Sequence, residues 1–167
     1  MVAFMNSILK KYETLSPLQR QQVLEIELLG EQKTLVGDAH GAVHGLTARP
    51  ASDIQGYALM VDGVVRGFFL LKRRSLLPRW ANGQTVTLHG LMIDRRYQGR
   101  GLGRTCLERL PELVNELWPE TRQLMLAVDP GNTTAHGLYR SLGWQDYGNA
   151  DRAALTGFER RMLLKLP

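Results

Sequence analysis

Cysteine is nearly absent: Cys106 stands alone in 167 residues, so no disulfide can form within one chain. Long apolar runs are missing too. None approaches the roughly 18 residues of a membrane-spanning helix, and the N-terminus lacks a basic segment followed by an apolar core and a small-residue cleavage site. A cytoplasmic location with no membrane partner is the expectation. Acidic residues are the minority charge, 16 against 21 Lys and Arg, for a formal net charge of +5. Much of that excess is local, because Arg95, Arg96, Arg100 and Arg104 share one short segment with only Asp94 against them. A small polyanion explains a local excess as well as DNA would, so no nucleic-acid partner is expected. The length suits one domain with a proper core, here residues 1–167.

What the chain does have is the stretch Asp94-Arg95-Arg96-Tyr97-Gln98-Gly99-Arg100-Gly101-Leu102-Gly103-Arg104. Val86 to Ile93 before it reads as a strand. After it, Leu102, Cys106, Leu110, Leu113, Val114 and Leu117 recur with helical spacing. The glycines therefore sit at a helix N-terminus, where unpaired N–H groups and the helix dipole attract an anion and missing Cβ atoms let it come close. A P-loop would need Lys followed by Ser or Thr after Gly103, and Arg104-Thr105 stands there instead. A dinucleotide fingerprint needs G-x-G-x-x-G, whereas the spacing from Gly99 is G-x-G-x-G. Cys106 lies on the apolar stripe of the helix and reads as a small buried hydrophobe rather than a nucleophile.

Gln98-x-x-Gly101-x-Gly103 resembles the Q/R-x-x-G-x-G/A signature of the GCN5-related N-acetyltransferases (GNAT). A second segment, Asn132 to Trp144, resembles that family's other motif. Read from the residues alone, Asn132 is an N-cap, Ala135, Leu138, Tyr139 and Leu142 form a helical stripe, and Gly143 is a helix-ending glycine. The resemblance implies an α/β (α+β) fold: a mixed, mostly antiparallel, twisted sheet flanked by helices, with the central strands splayed around acetyl-CoA. It implies that Gln98, Gly99, Arg100, Gly101, Leu102, Gly103 and Arg104 hold the coenzyme pyrophosphate. It also puts the backbone of Leu91, Met92 and Ile93 beside pantetheine and the oxyanion, Asn132 on the pantetheine arm, and Tyr139 beside the sulfur. No metal is implied, and homodimers are frequent in the family.

Other elements follow from local pattern. Ser16 to Leu29 suits an amphipathic helix with Pro17 at its first position. The glycines between Gly30 and Ser52 predict an irregular loop on the acceptor side, with His40 and His44 as loop histidines rather than metal ligands. Ile54–Val61 and Val64–Lys72 predict a hairpin about Asp62-Gly63. Strands are expected at Leu124–Val128 and Phe158–Leu166, and Pro111 predicts a kink near Arg109 in the helix after the glycine turn.

Acetyl transfer to an amine needs a neutral nucleophile, an oxyanion site and a proton for the thiolate. Tyr139, at an ordinary pKa of about 10, would donate to a thiolate of acid pKa about 8.5 at a cost of about 2 kcal/mol. The amine is harder, since an ammonium of pKa about 10.4 loses its proton at pH 7 at a cost of roughly 4.6 kcal/mol. Some relatives place a glutamate in the pattern L-E-V for this purpose; Ala127 stands there. His89 on the central strand is the substitute base. Leu91-Met92-Ile93-Asp94 is similar to bacterial polyamine and diamine acetyltransferases. The expected activity is therefore acetyl transfer from acetyl-CoA to a small, polyamine-like primary amine by direct attack in a ternary complex. Alternatives are a protein or peptide amine, a Cys106 acyl-enzyme, and a non-catalytic acyl-CoA sensor.

Overall fold

The computed structural model describes residues 6–30, 32, 37–48, 52–151 and 157–167. In chain order the elements are β1 (Ser7–Lys11), α1 (Pro17–Leu24), α2 (Ala39–Thr47), β2 (Ile54–Val61), β3 (Val64–Arg73), β4 (Thr85–Ile93), α3 (Leu102–Leu117), β5 (Gln123–Val128), α4 (Thr133–Ser141), β6 (Gln145–Asp151) and β7 (Phe158–Lys165). The strands form one sheet in the order β1-β2-β3-β4-β5-β7-β6. β4 and β5 are parallel, while β1–β2, β5–β7 and β6–β7 are antiparallel. This is the mixed α/β architecture expected from the sequence.

Two compact units divide the chain, Met1–Leu71 with Gly90–Cys106 and Lys72–His89 with Leu107–Pro167. Both β4 and α3 run through from one to the other. In the first unit, β2 is buried along its whole length and contributes to a core with Val23, Val65, Phe68, Leu70 and Met92. Asp62 and Gly63, with φ of +49° and +82°, make the two-residue turn of the β2–β3 hairpin. Helix α1 starts as predicted, with Ser16 and Gln19 in a reciprocal capping box and Pro17 at the first position. It stops at Leu24, not Leu29. Beyond it, Ile26 and Leu28 are buried while Glu27 and Leu29 are exposed, an alternation that suits extended chain better than a helix.

The loop predicted between Gly30 and Ser52 is corrected by α2. Asp38 caps it by accepting from the Gly41 N–H at 2.8 Å, and Ala39, Ala42, Val43 and Leu46 turn one face onto the core. That stripe outweighs the cost of two glycines, roughly 1 kcal/mol each. His40 and His44 therefore lie a helical turn apart, both exposed. Residues 31, 33–36 and 49–51 of this stretch lie outside the described residues.

In the second unit, the β4–β5 ladder covers three pairs, from Thr85↔Gln123 to Thr87↔Met125. β5 continues pairing with β7 as far as Val128↔Arg160. Strand β6, Gln-Asp-Tyr-Gly-Asn-Ala-Asp, escaped prediction because it carries almost no apolar signal; it is a sheet-edge strand fixed by its ladder to β7. β1 was missed for a related reason, being a short edge strand with an exposed Ile8. Helix α3 runs through Pro111 to Leu117.

Candidate active site

The sequence-predicted residues fall into two groups, one in each unit. The first surrounds the glycine turn. β4 delivers the chain to Asp94, which is 1% exposed although charged. Its carboxylate accepts from the Arg96 N–H at 3.0 Å, from Arg96 Nε and Nη2 at 2.9 Å each, and from the Glu27 N–H at 3.2 Å. The Arg96 side chain is the main reason the Asp94 pKa falls to about 2. Arg95 is held likewise: its Nε donates to the Glu27 carboxylate at 2.9 Å and its N–H to the Glu27 carbonyl at 2.7 Å. The guanidinium of Arg100 lies 4.7 Å from the centroid of Tyr97, a ring that Arg66 also approaches at 4.1 Å. The local positive charge read from the sequence is thus largely engaged within the unit.

Gln98 is similarly occupied. Its amide donates to the Ile93 carbonyl at 2.8 Å and exchanges hydrogen bonds of 2.9 and 3.1 Å with the amide of Gln32. This ties the turn to the end of β4 and to a residue 66 positions earlier. Gly99 and Gly101 have φ of +75° and +77°, and a Cβ on either would meet no protein atom within 4 Å. The left-handed backbone is what demands glycine here, and the space beside it is open. Leu102 begins α3 and is buried; the Thr105 N–H and hydroxyl both donate to the Gly101 carbonyl, at 3.0 and 2.9 Å. Within a helix the first-turn amides, among them those of Leu102 and Gly103, have no intrahelical acceptor, which suits a phosphate. Upstream, Met92 is buried in the core, Leu91 and Ile93 are half-buried, and Gly90 takes φ of +59°. Cys106 is 2% exposed, as expected of a packing residue.

The second group is His89, Asn132 and Tyr139. His89 Nε2 lies 2.6 Å from the hydroxyl of Thr87, two residues back on the same face of β4. Burial, with a contribution from Lys72, lowers its pKa to about 4. The imidazole is neutral at pH 7, but it is a weaker base than an ordinary histidine: taking a proton from an ammonium of pKa about 10.4 costs about 9 kcal/mol at this value, against about 5 kcal/mol for a pKa of about 6.5. Asn132 Oδ1 caps α4 by accepting from the Ala135 N–H at 3.3 Å. Tyr139 is half-buried, its ring 5.8 Å from that of Trp144. Burial pushes its phenol up to about 12. It stays protonated, and donation to a thiolate becomes uphill by about 5 kcal/mol rather than about 2.

A model of the Acetyltransferase (GNAT) family matches residues 22–144. The chain belongs to the GNAT family. This GNAT chain is 37% identical over 97 residues to the spermine/spermidine N(1)-acetyltransferase of Bacillus subtilis strain 168, covering 56% of itself and 60% of that relative. It thus spans less than two thirds of the length of the curated relatives it matches. Among solved structures, it is similar to an aminoglycoside acetyltransferase in complex with coenzyme A, with a TM-score of 0.74 at 16% identity, covering 96% of this chain and 95% of that one. It is also similar to the spermidine N-acetyltransferase of Vibrio cholerae in complex with CoA and spermine, with a TM-score of 0.69 at 13% identity and 95% of each chain covered. Likenesses at such identity speak for the GNAT fold. Among the described residues of this GNAT chain, no group of three or more His, Cys, Asp or Glu could hold a metal ion, and no helix is long and apolar enough to cross a membrane.

The sequence reading did not find Glu27 and Gln32 as braces of the turn. No local signal could have found them, since their partners lie 66 to 68 residues away.

Proposed function

We propose that this chain is an N-acetyltransferase that moves the acetyl group of acetyl-CoA to a primary amine of a small molecule. The observation that carries the reading is the braced glycine turn at the start of α3, in a chain of the GNAT family: two left-handed glycines with open space beside them and helix amides to receive a pyrophosphate. Leu91 to Ile93 would offer backbone groups to pantetheine and the oxyanion. Asn132 would meet the pantetheine arm while capping α4.

The amine attacks the thioester carbonyl, the C–N bond forms, and the C–S bond breaks. The electron pair leaves with sulfur and one proton is lost from nitrogen. Tyr139 would give its proton to the departing sulfur. Because its pKa is raised to about 12, that donation has to accompany C–S cleavage rather than precede it. His89, with its pKa lowered to about 4, is assigned as a neutral hydrogen-bonding group and weak base, and the amine has to enter largely deprotonated. Burial of Cys106 favours direct attack over an acyl-enzyme.

The test is thiol release from acetyl-CoA across a panel of polyamines, diamines, amino acids and peptides, with products confirmed by mass. Polyamines belong on it because relatives are named for them. Turnover on a small amine supports the reading. Tight coenzyme binding with no turnover on any amine would replace it with a sensor, and turnover on peptides alone with a peptide acetyltransferase.

A further inference from the structure

One guanidinium of the second unit lacks the partners that its surroundings would ordinarily supply. Arg161 lies on β7 directly opposite Ala127 of β5. Opposed residues of an antiparallel pair share a face, with Cβ atoms about 5 Å apart. The methyl of Ala127 offers Arg161 no hydrogen-bonding group from its directly opposed neighbour. Nε of Arg161 is buried and has no hydrogen-bond partner, and none of the ion pairs among the described residues involves this side chain. Its one hydrogen bond among them is long, from Nη1 to the Trp80 carbonyl at 3.3 Å. A buried charged donor left unsatisfied keeps its full desolvation penalty, so the position is expected to have a partner in use.

The surroundings are shaped for one. The β6–β7 register shifts between Asp146 and Asn149, and within that irregularity Gly148 takes φ of +86°. A Cβ on Gly148 would lie 2.8 Å from Arg161 Nη2, the mobile end of that side chain, and it is the left-handed φ that favours glycine here. Tyr147, 56% exposed, sets its ring 5.6 Å from the same group. On β4 the same face carries Thr87, opposite Met125, and therefore His89, whose imidazole feels the charge of Lys72. Along β7 the acid that alternation puts on this face is Glu159, two residues before Arg161 and opposite Ala150.

We infer that Arg161 is a carboxylate-binding subsite and that the acceptor amine is one that also carries a carboxylate, such as an amino acid. This rests on the acetyltransferase reading and narrows it. A planar guanidinium whose terminal nitrogens make one long hydrogen bond among the described residues matches a carboxylate, each charge-assisted bond being shorter and stronger than a neutral one. A polycation has no group to offer it, and Lys72 and Arg161 repel one.

The experiment compares amines that differ only in the carboxylate, lysine against cadaverine and glycine against methylamine, with spermidine alongside. The readouts are kcat/KM and, without turnover, calorimetric binding of the N-acetylated amino acid. Wild type is expected to favour the carboxylate member of each pair by about tenfold or more. Arg161→Gln should bring the ratio near one and abolish product binding. Ala127→Glu, which leaves Arg161 in place but opposes it with an internal carboxylate, should do the same and guards against a folding defect in the first variant. Turnover indifferent to the carboxylate, or a ratio untouched by both variants, overturns the subsite and leaves the transferase standing. Absence of turnover with product binding that disappears in Arg161→Gln supports the subsite and overturns the transferase. Absence of both overturns both.

Discussion

The glycine turn and the β4–β5–β7 face treat their charges in opposite ways. Around the turn, Asp94 satisfies Arg96, Glu27 satisfies Arg95, Gln98 and Gln32 satisfy each other, and the pKa of Asp94 is lowered by partners. On the face, His89 and Lys72 share a neighbourhood without a counter-ion between them in the balance of its shift, and Arg161 Nε goes unpaired. Tyr139, in the same unit, is shifted by burial alone. On the proposed function, the turn has to hold one backbone shape and gains from internal satisfaction, whereas the groups assigned to proton exchange or ligand binding keep capacity in reserve at some cost in stability.

The sharpest way to break this contrast is Tyr139→Phe. The substitution keeps the ring against Trp144 and removes only the hydroxyl that carries the proton, so kcat should fall by about 10²- to 10⁴-fold with coenzyme binding and melting temperature unchanged. Steady-state kinetics and coenzyme titration decide it; a fall in stability with kcat retained would make Tyr139 a packing residue. Next comes Gly101→Ala at the turn. An L-residue at φ of +77° costs about 1–2 kcal/mol, and the new Cβ meets no protein atom but stands where an anion would approach. Coenzyme affinity should drop about tenfold or more by calorimetry. Gly83→Ala, at φ of +68° and equally open, carries similar strain without that loss, which separates strain from anion access.

How much of this was legible beforehand depended on the range of the interactions. Gln98-x-x-Gly101-x-Gly103 and the Asn132 cap are local patterns of a few residues, and both landed where the spacing put them, at the starts of α3 and α4. The braces were not legible, because Glu27 and Gln32 reach the turn only through the tertiary fold. Ile26 and Leu29 fitted a helical stripe while Ile26 and Leu28 fit an extended alternation, and pairing with the turn chose the second. The glycines of α2 misled because propensity is a weak prior beside a buried stripe. The depressed basicity of His89 depends on burial and on Lys72 of a neighbouring strand, and the sequence shows neither.

Asp94→Asn tests the braced side at smaller magnitude. Asp94 has a folded pKa of about 2 against an ordinary 3.8, so its carboxylate contributes stability that is present above the unfolded value and is lost as pH falls from 3.8 through 2. That difference is worth about 2 kcal/mol at neutral pH. Denaturant titrations should show the variant less stable by about that amount at pH 7, with the gap closing in acid. A gap independent of pH would mean that Asp94 acts through shape rather than charge.

The smallest effect is expected at His89, and it is the most discriminating for the chemistry. With a pKa lowered to about 4, the imidazole is already neutral throughout the range in which an ordinary histidine titrates. The kcat/KM profile should therefore show no inflection near 6.5, its rise toward high pH following the acceptor's own ammonium group. His89→Gln keeps a hydrogen-bonding amide near Thr87 and should lower kcat/KM by less than about tenfold, below the usual range for losing a general base. Stability gives an independent check of sign. The unfolded chain binds a proton at His89 between pH 6.5 and 4 while the folded chain resists it, so wild type should lose stability relative to His89→Gln as pH falls through that window, with no difference in slope above it. An inflection near 6.5 that disappears in the variant would make His89 the base and would mean that the strand does not desolvate it in solution; the amine would then no longer have to arrive deprotonated.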